Sequence, residues 1–328
     1  MVAAQQYPSD FDGILAGAPA LNWTEYVIAE LWPQVAMNEA NYFPTPLEFQ
    51  AVTQLVTEAC DGLDGVKDVV ISDLKRCHFD PSQAVGRVVT VGNDTVTVSD
   101  KVASIVRAIW EGPKTASGEK LWVGLNKGAS PTPLAQTTEI NGSSVGVPFF
   151  VPQPWVQYFV KQNPMYDLTN LSSAGLRELF AESVAKFSVI MDSANPDLSA
   201  FQRAGGKLIS WQGEADQLIF PQDTVEYYKT VQSKNGRSTS IDDFFRLFLA
   251  PGVDHCNGGT TVGAGPTDPF GALRAWVEKG TAPDELVAAS AAGGFTRKLC
   301  RWPLAAKYNG HGDTKVAASF TCVPDSCR

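Results

Sequence analysis

Gly206–Asp216, GKLISWQGEAD, sets an apolar segment ahead of a glycine and two acids, and Phe244–Cys256, FFRLFLAPGVDHC, repeats the arrangement with a glycine, an acid and a histidine. Each reads as a buried strand entering a loop. The stretches that follow read as helices: PQDTVEYYKTVQS (Pro221–Ser233) is amphipathic, and PFGALRAWVEKG (Pro269–Gly280) is ended by its glycine. Strand, helix, strand, helix is the signature of a parallel sheet, so the fold class is α/β.

Working outward, Ala3, Ala4 and Gln5 close a helix stopped by Pro8, and FDGILAGAPA (Phe11–Ala20) is a further buried strand running into a turn. The α/β domain is therefore expected over residues 1–22 and 204–328, interrupted by an inserted domain over 23–203. The insert has a different texture. PLEFQAVTQLVTEACDG (Pro46–Gly62) and SDKVASIVRAIWEG (Ser99–Gly112) read as helices, and GRVVTVGNDTVTVS (Gly86–Ser99) as a hairpin turned at Asn93-Asp94. Met1–Pro8 carries no basic region, apolar core or small-residue cleavage site, so it does not read as a signal peptide. A helix at the very start reads as a domain entered part-way.

Composition narrows the partners. The chain has 328 residues, 44% of them hydrophobic, and no apolar run approaching the length of a membrane span. A formal net charge of -9 without a Lys/Arg cluster disfavours nucleic acid and anionic membrane surfaces. Six cysteines are too few to scaffold a chain of this length, but Cys60 with Cys77 and Cys300 with Cys322 are spaced to close modest loops, leaving Cys256 and Cys327. Asn-x-Ser/Thr triplets at Asn22, Asn93, Asn141 and Asn170 suit a secreted protein.

In a parallel sheet the functional groups sit on loops beyond the carboxyl ends of strands. Asp216 follows KLIS by way of Trp211–Ala215, and His255 follows FRLFLA by way of Pro251–Asp254. Alone, each is ordinary: a capping carboxylate, a surface histidine. On consecutive strand ends they form the acid and histidine half of a hydrolase triad, in which the carboxylate fixes the imidazole tautomer and the imidazole takes a hydroxyl proton. The chain order Ser, Asp, His then places the serine upstream. The one G-x-S-x-G match, Gly142–Gly146 around Ser144, lies inside the insert, preceded by polar AQTTEIN and followed by proline-broken VPFFVPQP. That context is a glycosylatable loop and no strand-turn-helix elbow.

The stretch CDGLDGVKDVVISDLKRCHFD (Cys60–Asp80) brings Asp61, Asp64 and Asp68 together among two glycines. Carboxylates so close repel unless a cation joins them, and oxygen-only donors favour Ca²⁺, with the carbonyls of Val66 and Val70 available as the chain winds round the ion. Spacings of three and four exclude an EF-hand. A solvated acidic turn is the plainer reading. His78 beside this loop has no clustered nitrogen or sulfur and reads as ordinary.

AAQQYPSDFDGILAGAPA, SWQGEADQLIFP, APGVDHCNGG and the acidic loop together resemble the fungal tannase and feruloyl esterase family of α/β-hydrolases, and the resemblance runs from residue 1 to the carboxyl terminus. It implies a secreted ester hydrolase acting on phenolic esters, feruloyl or galloyl, with Asp216 as acid and His255 as base. It also implies that Cys256 pairs with a cysteine next to the nucleophilic serine, in a Cys-Ser-x-Gly-Gly stretch a few residues upstream of Met1. The residues alone leave Cys256 open as a free thiol or a partner of Cys327. The family gives Asp61, Asp64, Val66, Asp68 and Val70 as ligands of a structural Ca²⁺, and makes the insert a lid. Phe149, Phe150, Trp155, Tyr158 and Phe159 are then either core or contacts for a phenolic ring. The alternative from another class is a non-catalytic, calcium-stabilised fragment or binding protein, which a missing nucleophile would favour.

Overall fold

The computed structural model describes residues 1–234, 240–257 and 261–324. The chain divides into two units, one of Met1–Leu21, Asp61–Arg76 and Ser193–Arg328, the other of Asn22–Cys60 and Cys77–Asp192. The expected boundary at 22 differs by one residue, and that at 204 moves back to 193. The acidic loop, expected with the insert, belongs to the first unit: the guanidinium of Arg297 forms an ion pair with Asp68. Contacts distant in sequence, and not chain proximity, decide its membership.

The first unit is built on a parallel sheet in the order Gly13–Gly17, Lys207–Gly213, Phe245–Ala250, with Leu208 paired to Ile14 on one side and to Phe245 on the other. KLIS and FRLFLA lack polar alternation because both faces of the sheet are covered. On one face Leu208, Phe245 and Leu247 pack with Tyr228 and Trp302, Tyr228 coming from the helix Pro221–Lys234. On the other, Ile209, Phe248 and Ala250 pack with Leu273 and Trp276 of the helix Pro269–Lys279, which Gly280 ends in a left-handed conformation. The strand Gly13–Gly17, expected to be buried, is only half-buried where it flanks the sheet. An antiparallel sheet, Ala264–Pro266, Glu285–Ser290 and Thr296–Cys300, and the hairpin of Leu304–Tyr308 with Phe320–Pro324 complete the unit. Cys300–Cys322 joins that sheet to that hairpin, Cα atoms 5.7 Å apart.

The second unit is mainly helical. Pro46–Cys60 and Asp100–Glu111 are helices as expected, the latter started by the Ser99 side chain accepting from the Val102 amide. The strands Val88–Val91 and Asp94–Thr97 form the expected hairpin, but Val91 pairs with Asp94, so Gly92-Asn93 is the turn. Gly92, at φ 62, takes the left-handed position that the first turn residue needs, which displaces the turn by one residue. Cys60–Cys77 closes the base of the acidic loop, Cα atoms 5.3 Å apart. Among the described residues no helix is long and apolar enough to cross a membrane.

Candidate active site

Asp216 and His255 meet. The strands Lys207–Gly213 and Phe245–Ala250 run parallel and adjacent, so the loops leaving them are neighbours, and backbone hydrogen bonds zip them together: Glu214 N to Ala250 O at 2.9 Å and Ala215 N to Val253 O at 3.0 Å. Gly213 permits this approach, because a Cβ there would lie 2.3 Å from the Val253 carbonyl oxygen. The Asp216 carboxylate is fully buried and completely engaged. Its Oδ1 accepts from the Leu218 and Ile219 amides at 2.8 and 2.9 Å, and its Oδ2 from Gln212 Nε2 at 2.7 Å and from His255 Nδ1 at 3.0 Å.

With Nδ1 committed to Asp216, the imidazole presents Nε2 as its working nitrogen. Its neighbour there is the thiol of Cys256, 3.8 Å away. The hydrogen bond to Asp216, together with the charges of Asp216 and Asp254 and against the opposing effect of burial, raises the His255 pKa above its ordinary value. The Cys256 thiol is also raised, by burial first and then by Asp216 and Asp254, so it is held protonated and is a poor nucleophile. Cys256 forms no disulfide among the described residues and sits at φ 53, left-handed, beside Asn257 at φ 63. The expected glycine flank Gly258-Gly259 and the pairing of Cys327 lie outside the described residues.

Three polar residues of the site escape a motif reading. Gln212, buried on its strand, spans Asp216 Oδ2 and the Ile219 carbonyl (3.0 Å) while Thr224 Oγ1 donates to its Oε1 at 3.1 Å, so its orientation is fixed. Gln217 Oε1 accepts the His255 amide at 3.2 Å. Asp254, mostly buried, takes a hydrogen bond from the Thr261 hydroxyl. A polar Gln at an inward strand position in an otherwise apolar run was the one available signal for Gln212.

Ser144 is a residue of another kind. It lies on the strand Ser143–Gly146 of an exposed hairpin with Thr137–Ile140, its hydroxyl donating to the Phe43 carbonyl at 3.2 Å, with no elbow geometry. Of the insert's aromatics, Phe149 and Trp155 are core; Trp155 Nε1 donates to Ser183 Oγ at 2.9 Å and its ring stacks on Phe159. Phe150, Tyr158 and Phe159 are exposed.

The acidic loop winds through its own backbone. Asp61 Oδ1 accepts the Asp68 amide at 2.9 Å, Asp64 Oδ1 the Val66 amide at 2.9 Å, and Asp68 Oδ1 the Val70 amide at 3.2 Å, while the other Asp68 oxygen takes Arg297. Burial, then the neighbouring Asp68 and Asp61, push the Asp64 carboxyl above the usual carboxylate range, against the Val66 amide. The donors are hard oxygens and under-neutralised, which fits Ca²⁺ in chemistry. Among the described residues no three acid, histidine or cysteine side chains are drawn around one point.

A doubly covered parallel sheet carrying a buried acid and a hydrogen-bonded histidine on adjacent strand ends is the framework of an α/β-hydrolase, the fold of the solved structures that this chain matches. Within that class the chain belongs to the tannase and feruloyl esterase family, whose model matches residues 1–323. It is 43% identical over 330 residues to a probable feruloyl esterase of Arthroderma benhamiae, covering 99% of this chain and 61% of that protein. It is 29% identical over 343 residues to feruloyl esterase C of Talaromyces stipitatus, covering 98% and 62%. Feruloyl esterase B from Aspergillus oryzae superposes with a TM-score of 0.79 at 26% identity over 98% of this chain and 66% of that one. Tannin acyl hydrolase from Aspergillus niger superposes with a TM-score of 0.89 at 23% identity, over 99% and 62%. The chain thus spans about three-fifths of the length of the curated relatives it matches.

Proposed function

We propose that this protein hydrolyses carboxylic esters of phenolic acids, feruloyl or galloyl, with Asp216 and His255 as acid and base and with a serine nucleophile contributed by sequence outside this chain. The observation that carries the reading is the His255–Asp216 contact at 3.0 Å, made by a buried carboxylate whose four hydrogen bonds lock the tautomer that leaves Nε2 for a hydroxyl. Membership of the family supports the ester, and the names of the relatives support the phenolic acyl group.

In the reaction, the serine Oγ attacks the ester carbonyl carbon as its proton passes to His255 Nε2. The tetrahedral intermediate then expels the alcohol, which receives that proton, and leaves an acyl-enzyme. Water, deprotonated by the same Nε2, attacks the acyl carbonyl; the proton returns to the serine and the phenolic acid departs. Asp216, holding Nδ1, stabilises the transient imidazolium. A disulfide from Cys256 to a cysteine beside the serine would hold base and nucleophile together, and the exposed Cys256 thiol next to Nε2, outside any disulfide among the described residues, supports it.

The acidic loop is proposed to bind Ca²⁺ through Asp61, Asp64 and Asp68 and the carbonyls of Val66 and Val70, in a structural role. Action outside the cell is proposed from the two disulfides and the exposed sequon residues Asn93, Asn141 and Asn170. The test of the function is turnover of methyl ferulate and methyl gallate by residues 1–328 alone and by a longer protein carrying the flanking sequence found in its relatives. Turnover by the longer protein only is expected. Turnover by the short chain that disappears in Ser144→Ala would make the protein a self-contained hydrolase instead, and no turnover by either would favour a non-catalytic protein.

A further inference from the structure

His255 follows the parallel-sheet strand that ends at Ala250 and precedes the antiparallel-sheet strand that begins at Ala264, and the neck between these strands is closed by Gly252, whose carbonyl accepts the Val262 amide at 3.1 Å and the Gly263 amide at 2.9 Å. The neck leaves no room for side chains at its glycines. A Cβ on Gly263 would fall 1.9 Å from the Pro251 oxygen, and Gly252 itself is left-handed at φ +66. A Cβ on Gly252 would lie 3.0 Å from Cγ1 of Val70. Val70, 4% exposed, lies in the acidic loop, and its amide is held by Asp68 Oδ1. Asp68 is in turn held by Arg297, whose guanidinium is clamped between the rings of Phe295 and Phe320, 4.5 and 4.4 Å from their centres. Behind this contact is a cavity of about 50 Å³, lined by Asp64, Asp68 and Val70 on one side and Pro251, Gly263 and Ala264 on the other.

We propose that Val70 is a positioning residue for His255: the acidic loop, fixed by Arg297 and pressed through Val70 onto Gly252, sets the neck of the histidine loop and thereby the His255–Asp216 contact. The geometry gives the acidic loop a second effect beyond stability. A methyl withdrawn from Gly252 lets the neck relax into the adjoining cavity, and His255 lies three residues further on, where packed loops pass on displacements of a fraction of an ångström. The inference takes its catalytic meaning from His255 being the base, but the coupling itself is readable without any turnover.

The test follows the His255 imidazole by NMR in histidine-labelled protein. The chain has three histidines, assigned with His78→Gln and His311→Gln. The groups facing His255 are Asp216, Asp254 and Cys256, and the Asp216 hydrogen bond contributes most to raising its midpoint, so the midpoint follows the Asp216 contact. Val70→Ala is expected to lower that midpoint by about half a unit or more, toward the ordinary value of about 6.5, with His311 unmoved and Val70→Ile near wild type. A Val70→Ala midpoint unchanged while His311 keeps its own value would overturn the proposal. Should Val70→Ala fail to fold, amide exchange in the unaltered protein decides. The Val70 and Gly263 amides are expected to open together, and protection differing by more than about tenfold between them rejects the coupling. Absence of ester hydrolysis in the longer protein, with the expected midpoint shift in residues 1–328, would defeat the proposed function and leave the coupling intact.

Discussion

Replacing Asp216 by asparagine removes one charge while keeping shape, and the hydrogen bonds around the carboxylate determine the cost. The new side chain would keep the carbonyl oxygen that accepts the Leu218 and Ile219 amides, but its NH₂ would face two donors, Gln212 Nε2 and His255 Nδ1. Gln212 cannot turn round without abandoning Thr224, which donates to its Oε1. Loss of a hydrogen bond to a charged group costs about 1.5–3 kcal/mol and a mismatched buried donor about 1–3 kcal/mol; relief from burying a carboxylate with no exposure offsets part of this. A net loss of about 2–3 kcal/mol is expected, which at about 2–4 °C per kcal/mol lowers Tm by about 5–10 °C. The sign with pH is also fixed. Because the folded-state pKa of His255 is raised, its contact with Asp216 contributes stability that is fully present below the unfolded value of about 6.5 and is lost as pH rises through the folded value. Urea unfolding of wild type between pH 5 and 9 should show this slope, and Asp216→Asn should not. An imidazole midpoint for His255 that is unaltered by Asp216→Asn, or a stability loss independent of pH, would refute the reasoning.

Four further outcomes are expected. Chelation should lower Tm and added Ca²⁺ should restore it while Mg²⁺ does so poorly, because the donors are under-neutralised oxygens on a winding loop; an unchanged curve in metal-free protein counts against the ion. Thiol labelling of denatured, unreduced chain should modify Cys256 and leave Cys60, Cys77, Cys300 and Cys322 protected; a peptide map linking Cys256 to Cys327 in an active longer protein contradicts the proposed tether. Replacing Cys300 and Cys322 together by Ala should cost about 3 kcal/mol for a loop spanning 22 residues, measured by urea unfolding, and a cost below about 1 kcal/mol contradicts the loop-entropy argument. Ser144→Ala should leave turnover by the longer protein within about twofold, since its hydroxyl donates to the Phe43 carbonyl on an exposed hairpin; a large loss assigns it a role in catalysis.

The meeting of Asp216 with His255 was legible because strands announce themselves: KLIS and FRLFLA are apolar without alternation, and the positions just past them are where a parallel sheet presents side chains. Gln212, Gln217 and Asp254 were not legible, because their roles are hydrogen bonds to residues brought near only by folding, such as Gln217 to the His255 amide across 38 positions. The unit to which the acidic loop belongs was misread for the same reason, since Asp68 meets an arginine 229 positions away. The misplaced hairpin turn is a local error of another kind: Asn-Asp and Gly-Asn are both turn formers, and a left-handed first residue selects the glycine.

The Asp216–His255 pair is proposed to activate a serine outside residues 1–328. The most direct test is treatment of the longer protein with an alkyl fluorophosphonate, followed by peptide mapping of the adduct in wild type and in His255→Ala. A single phosphonylated serine outside residues 1–328, formed in wild type and suppressed at least about a hundredfold in His255→Ala, is the predicted result. An adduct on Ser144, or one outside the chain that forms as fast without His255, would contradict the account.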